Sequence, residues 1–444
     1  MGDRGPIIPQ FPHRRISSQP TPQASRNNAM RICIHRGAHQ IGGSCVELES
    51  QGHRLLLDLG LPLDAEENSA ELMPAIPGLR ETDTGLLGVL LSHPHMDHYG
   101  LLKHARPDLP VAMGAAGRRI LEAAAPWVRD PIVPAAGPVL ADRQHFAWGP
   151  FQVTPYLVDH SAFDAYSFLI EADGQRVFYS GDFRAHGRKG KLYDRMIAHP
   201  PKNLDVLLME GSSLGRLDLG ATFETESDLE QRLVTEFKAT EGLVLTYVSA
   251  QNIDRVVTVF RAAKRSGRRL VIDLYTAAIL EATGSSTIPQ SDWLQVALYI
   301  PQRQRIQIKV NARFELLDRH KANRIYAEEL AAKASESVLL FRPPHRKDLE
   351  SADALKGARF FYSMWEGYLK EDSGIRLKAW LDENHIPFMQ AHTSGHAGPA
   401  DLKRFAEALD PKVLVPIHSF KPESYGELFS RVEAHGDGDW WGLG

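Results

Sequence analysis

The sequence predicts an α/β fold, and three observations carry that prediction. From Arg31 to Ser180, short apolar strands alternate with turn residues. From about Gly242 onward, strand-like and helix-like segments alternate, which is the pattern of a parallel sheet. Several apolar runs end on a histidine or a carboxylate, so chemistry is gathered at strand ends on a rigid scaffold.

In order, strands are expected at 32–34, 44–48 and 54–58. Ile41-Gly42-Gly43 separates the first two with a tight-turn signal. Leu55-Leu56-Leu57-Asp58-Leu59-Gly60 is a buried strand ending in a carboxylate, and Gly88-Val89-Leu90-Leu91 is another buried strand. A helix is expected over 115–124, and strands return at 151–158, 166–171 and 176–180. Near Gly211 the texture changes. A helix over 224–239 precedes strand 242–247, helix 253–264, strand 269–274 and helix 276–282. A final strand, helix and strand are expected at 386–390, 401–409 and 413–417. Residues 1–29, rich in Pro, Ser, Gln and Arg, read as a mobile tail.

A length of 444 residues suits two or three domains, and 43% hydrophobic content can bury a sizeable core. The formal net charge of −4 excludes no partner, because a basic groove can sit on a neutral body. Cys33 and Cys45 form no CxxC pair, which argues against a disulfide framework and a cysteine zinc site. No apolar run reaches 18 residues, so no membrane span is expected, and the N-terminus has no apolar signal core. A cytoplasmic location follows as the expectation.

The densest chemistry lies in Ser92-His93-Pro94-His95-Met96-Asp97-His98-Tyr99-Gly100. Imidazole and carboxylate are the ligands of a borderline-soft divalent metal such as zinc. With the run extended, His93 and His95 point the same way, because side chains alternate along a strand. Asp97 and His98 then fall where the chain turns into a helix and can face the other side. One loop can thus feed two metals about 3.5–4 Å apart.

Distant strand ends supply candidates to complete the site. His160 follows Val158-Asp159, Asp182 follows Tyr179-Ser180-Gly181, Glu210 ends Leu207-Leu208-Met209, and His418 ends Val415-Pro416-Ile417. A histidine alone at a strand end is usually structural; beside a two-metal loop, His160 becomes a third imidazole. Asp182 is suited to bridge two metals, and Gly181 permits close approach. His392-Thr393-Ser394-Gly395-His396-Ala397-Gly398 precedes a helix, where backbone N–H groups can hold a phosphate. Lys264-Arg265-Ser266-Gly267-Arg268-Arg269 reads as a solvated helix end, and Trp440-Trp441 as packing on the body.

These residues resemble the metallo-β-lactamase superfamily and, within it, the β-CASP nucleases. The superfamily pattern matches Asp58, His93-Pro94-His95-Met96-Asp97-His98, His160 and Asp182. The β-CASP pattern adds Glu210, His396 within Ser394-Gly395-His396-Ala397, and His418. The 392–397 run and Ser249-Ala250-Gln251-Asn252-Ile253-Asp254-Arg255 are most similar to ribonuclease J, over roughly residues 31–425. The segment after His418, Ser-Phe-Lys-Pro, departs from the Gly-Glu usual there.

The resemblance implies an αββα metallo-β-lactamase sandwich, 30–213 and 386–444, with an inserted β-CASP α/β domain over 214–385. It implies two zinc ions, with Mn2+ or Mg2+ as alternatives. One is held by His93, His95 and His160, the other by Asp97, His98 and His418, with Asp182 between them. Asp58 steers the metal loop from behind. His396, oriented by Glu210, is the general acid. His392, Ser394 and Gly395 contact an RNA phosphate, and Ser249, Asn252 and Arg255 line the RNA path. The implied activity is hydrolysis of RNA phosphodiesters, as 5′ exonuclease, endonuclease or both. A homodimer is compatible with it. The competing readings are a β-CASP DNA nuclease, a lactamase-fold hydrolase of a small ester or thioester, and a scaffold subunit. The filled ligand positions argue against the last.

Overall fold

The computed structural model describes residues 29–443, so all but the last residue of the expected tail lies outside the described residues. The first sheet contains β1 (Arg31–Arg36), β2 (Cys45–Ser50), β3 (His53–Leu57), β4 (Leu86–Leu90), β5 (Val111–Gly114) and β6 (Val139–Leu140). The second contains β7 (Phe146–Trp148), β8 (Phe151–Leu157), β9 (Tyr166–Ala172), β10 (Gln175–Tyr179) and β11 (Val206–Glu210). The third is built from β12 (Val244–Tyr247), β13 (Arg269–Ile272), β14 (Val296–Tyr299), β15 (Arg324–Ile325), β16 (Ser337–Leu340), β17 (Arg359–Tyr362) and β18 (Phe388–Gln390). The chain then returns to the second sheet with β19 (Val413–Ile417) and to the first with β20 (Trp440–Gly442).

The first two sheets face each other across one core, in which Ile32, Leu48, Leu55, Leu57 and Leu90 meet Phe168, Ile170, Val177, Tyr179 and Leu208. Leu56 points the other way, into a layer with Val89, Val111 and Leu121 of the helix Ala115–Ala124. This explains why Leu55-Leu56-Leu57 is an unbroken apolar run: alternate side chains face opposite sides, and both sides are covered. In β11, Val206 and Leu208 enter the inter-sheet core, while Leu207 and Met209 pack on Phe405 of the helix Pro399–Leu409. Helices thus cover both outer faces of the two-sheet sandwich. Trp441 packs against the inter-sheet core, as a packing role for that pair required.

The third sheet is parallel throughout. Val244 serves one of its faces and Leu245 the other. It is inserted between β11 and β19, which pair in parallel with Glu210 opposite Ile417. Its last strand pairs with β17 through Phe360 and Phe388, so the inserted sheet runs past the boundary expected at 385. The helix expected at 224–239 is Glu226–Lys238, started by a capping box in which Thr225 and Asp228 satisfy each other's backbone amides. Among the described residues no helix is long and apolar enough to cross a membrane, and Cys33 and Cys45 are buried and free.

Candidate active site

Parallel pairing brings distant strand ends to one edge. β3 and β4 run in parallel, as do β10, β11 and β19. Asp58 and His93 follow strands that run in parallel in the first sheet, Asp182 and His418 follow and Glu210 ends strands that run in parallel in the second, and His160 follows β8. After β4 the chain bends at Pro94, where the His95 amide donates to the His93 carbonyl at 3.1 Å. The two rings are therefore set by this turn and not by simple strand alternation. His95 itself is extended, with φ −99° and ψ 145°, and leads into the short helix Met96–Tyr99.

His95 Nδ1 lies 3.2 Å from His93 Nε2 and 3.1 Å from His160 Nε2. Burial first, then neighbouring imidazoles, lower the pKa values of all three, and His95 falls to about 4. The three rings are therefore neutral near pH 7, and three nitrogens converge on one point. Neutral imidazoles can bring lone pairs to a cation there, whereas they cannot all satisfy one another as donors.

Beside them lies a second group, Asp97, His98, Asp182 and His418, whose ligand atoms all fall within 4.8 Å of one another. Asp182 Oδ2 is 3.0 Å from His98 Nε2, 3.7 Å from His418 Nε2 and 3.8 Å from His93 Nε2, so it stands between the two groups. Burial alone would raise the Asp182 carboxyl; His418, His98 and His396 outweigh it and hold it well below the usual carboxylate range. Asp182 Oδ1 and His418 Nε2 are buried without a hydrogen-bond partner. Orphaned polar atoms of that kind are costly unless something binds them. This donor set fits divalent metal.

The outer atoms of these rings are fixed. The Asp58 carboxylate accepts from His98 Nδ1, the Ser92 amide, the Ser92 hydroxyl and the Tyr179 hydroxyl, each at 2.7 Å. It thus fixes the His98 ring with Nε2 facing Asp182 Oδ2 at 3.0 Å. His418 Nδ1 lies 2.9 Å from the Ser44 hydroxyl. Asp58 and His418 have φ of 63° and 49°, left-handed conformations unusual for such residues and held here by the surrounding contacts. Gly181, at φ 53°, sits where a Cβ would lie 3.0 Å from that of Ser92.

Residues 53–234 match the family model described as a β-lactamase superfamily domain. That segment of the chain is therefore similar to the β-lactamase superfamily domain. The lactamase domain's closing strand β19 lies beyond that match, because the third sheet intervenes. Among curated proteins the chain is similar to ribonuclease J of Helicobacter pylori, 20% identical over 414 residues, covering 88% of this chain and 56% of that one. It is similar to ribonuclease J of Synechocystis, at 22% over 421 residues, 89% and 61%, and of Mycoplasma genitalium, at 21% over 414 residues, 87% and 67%. The chain therefore spans little more than half the length of the first of these relatives. A solved structure from Enterococcus faecalis, a protein of unknown function, superposes with a TM-score of 0.77 at 21% identity, covering 93% of this chain and all of that one. That likeness is one of fold.

His396 enters the lactamase site from beyond the insert. Its Nδ1 is 3.0 Å from Glu210 Oε2 and 3.7 Å from Asp182 Oδ2. Burial opposes its charged form, but Glu210 and Asp182 prevail and raise its pKa to about 9. Glu210 is itself held by the Ser212 hydroxyl at 2.6 Å and the Phe183 amide at 2.9 Å. Gly395 fits against His160 and Ser161, where a Cβ would lie 2.7 Å from the Ser161 hydroxyl. The start of the following helix, 397–399, is buried, which leaves anion contact to the 392–396 side of the turn.

One expectation for the RNA path changes. Arg255 does not line an open surface: it is fully buried, bound to Glu226, to the Ser363 hydroxyl at 2.5 Å and to the Thr393 carbonyl at 3.1 Å. It supports the 392–396 segment from beneath. Asn252 caps the helix Ile253–Arg265 by accepting from the Arg255 amide. Ser249 and His392 are half-buried past the ends of β12 and β18.

Sequence reasoning missed the partners behind the ligands. Ser44 and Tyr179 are legible only as turn and strand residues. Arg184, two residues after Asp182, is fully buried and reaches Asp159, Glu226, Asp254 and the Ser394 carbonyl. An arginine shortly after a strand-end carboxylate was the one available signal. Replacing Asp58 with asparagine is expected to weaken divalent-metal affinity about 10–100-fold, the usual cost of losing an outer partner of a ligand. A competition titration against a chelating dye measures this, and unchanged affinity would refute the orienting role.

Proposed function

We propose that this chain is a metal-dependent ribonuclease that hydrolyses RNA phosphodiesters, with the inserted parallel sheet as its β-CASP domain. The observation that carries the reading is Asp182, placed between a three-histidine group and an Asp–His group, with His396 poised on Glu210 at the same carboxylate. The similarity to proteins named ribonuclease J favours RNA over DNA.

His93, His95 and His160 would hold one divalent ion, and Asp97, His98 and His418 a second, with Asp182 shared. Zinc suits this nitrogen-rich set, with Mn2+ or Mg2+ as alternatives. Such ions, when bound, lower the pKa of water and polarise phosphoryl oxygens. Asp58 and Ser44 keep the ligand lone pairs aimed inward. With His396 Nδ1 engaged by Glu210, Nε2 is the atom that carries a proton to the leaving oxygen. Ser394 and His392 border the path of the phosphate chain.

The test is cleavage of 5′-labelled RNA and DNA by the metal-loaded protein and by His396→Ala, across pH. Protonated His396 is the acid form, present below a pKa of about 9 and lost above it. Wild-type activity on RNA should therefore fall at high pH as His396 loses its proton, and His396→Ala should be about 10²–10⁴-fold slower and lack that limb. Preferential DNA cleavage would move the assignment to the DNA branch. Full RNA cleavage by His396→Ala would remove the acid role, and no cleavage of either polymer would defeat the nuclease reading.

A further inference from the structure

We propose that Trp365 and Tyr368 form a stacking platform for a nucleobase of the bound strand, beside the segment that leads to His396; this rests on the nuclease reading above.

Both residues follow β17, at the carboxyl edge of the parallel sheet, the edge where ligands bind in open α/β sheets. Both residues are exposed, Trp365 by 50% and Tyr368 by 40%, although each is large and apolar. They are ordered against each other, edge to face, with centroids 5.3 Å apart. The indole lies directly on Gly367, where an added Cβ would come within 2.2 Å of its ring, so only glycine leaves room for this pose.

The backbone beneath is tied to the catalytic segment. Arg255 donates to Ser363, the Ser363 hydroxyl donates to the Ala391 carbonyl, and Gln390 Nε2 donates to the Met364 carbonyl at 3.3 Å. The platform is thereby joined to the strand that leads through His392 to His396. Burial first, and then the Asp97 and Glu371 carboxylates, raise the Tyr368 phenol above its ordinary value. Met96, next to Asp97, is 44% exposed.

An exposed aromatic pair beside a phosphodiester site suits a base, because every base offers a π-face and stacking tolerates any sequence. A pair of this size is too small to seat a protein surface.

The test uses the full metal-loaded chain and a short single-stranded phosphorothioate RNA that resists cleavage, read by fluorescence anisotropy. An abasic residue is moved along the strand. One position should weaken binding to the wild type about tenfold, the loss of one stacked base. Trp365→Ala should weaken binding of the intact strand by a similar factor and should be indifferent to the abasic residue at that position. Trp365→Phe should recover most of the affinity, which a merely structural loss would not predict. The platform is overturned if no abasic position stands out, if the two losses multiply, or if the wild type does not bind the strand. Binding with this pattern but no cleavage of ordinary RNA would leave the platform standing and defeat the ribonuclease reading.

Discussion

Asp182→Ala is expected to abolish catalysis, with a loss of roughly 10³-fold or more, and to lower the metal content of the protein. The size follows from where the carboxylate sits. Losing an outer partner of a ligand costs about 10–100-fold. Asp182 is instead within 4 Å of His93, His98, His396 and His418, so one truncation removes negative charge from both metal groups and from the proposed acid. It also leaves buried imidazoles facing one another across a gap. Metal analysis by plasma emission and single-turnover cleavage of labelled RNA check this together, with circular dichroism to confirm folding. A folded variant that keeps its full metal content and rate would exclude Asp182 from the centre.

Glu226→Gln is expected to produce the largest loss of stability, about 3–5 kcal/mol, because it breaks a buried ion network and leaves charge uncompensated. Glu226 is 1% exposed and takes hydrogen bonds from Arg184, Arg255 and the Thr258 hydroxyl. Arg184 comes from the lactamase sandwich; Arg255 and Thr258 come from the helix that packs on the inserted sheet. The carboxylate therefore clamps the two parts, and both arginines reach onward to the backbone of 393–394.

The same network gives the pH dependence its sign. Burial would raise the Glu226 carboxyl, but Arg255 first and Arg184 after it lower its pKa from 4.5 to about 2. A depressed carboxylate contributes stability that is complete above its unfolded pKa and is lost as pH falls through the folded one. The difference in urea midpoint between wild type and Glu226→Gln should thus be full above about pH 5 and close between about pH 4.5 and 2. Equal midpoints at pH 7, or a difference that ignores pH, would remove the clamp.

The metal groups were legible because their ligands are polar residues at the ends of apolar strands. His93, His95, Asp97 and His98 sit on one loop, where a bend at Pro94 and a helix start decide direction. The helix Ala115–Ala124 was likewise readable to the residue, since its apolar face recurs at helical spacing. Arg255 was not. The family resemblance set it on an open path with Ser249 and Asn252, but which side of the helix Ile253–Arg265 is covered depends on chain from residues 226 and 391–393. Arg184 was unreadable for the same reason: its partners lie 25, 42 and 70 residues away.

By itself, then, the sequence determined the chemistry: which residue types stand at strand ends, that they favour a divalent metal, and that strand-rich chain surrounds a parallel α/β insert. Those are properties of local periodicity and ligand type. Only the tertiary structure decided how the ends meet. The pairing of β11 with β19 sets Glu210 beside Ile417, closing a gap of some two hundred residues and delivering His418 to Asp182. The same closure converts Arg184, Arg255 and Glu226 from scattered charges into one buried clamp. Partners across a sheet are chosen by register and by the burial of both faces, and neither is written in the order of residues near the site.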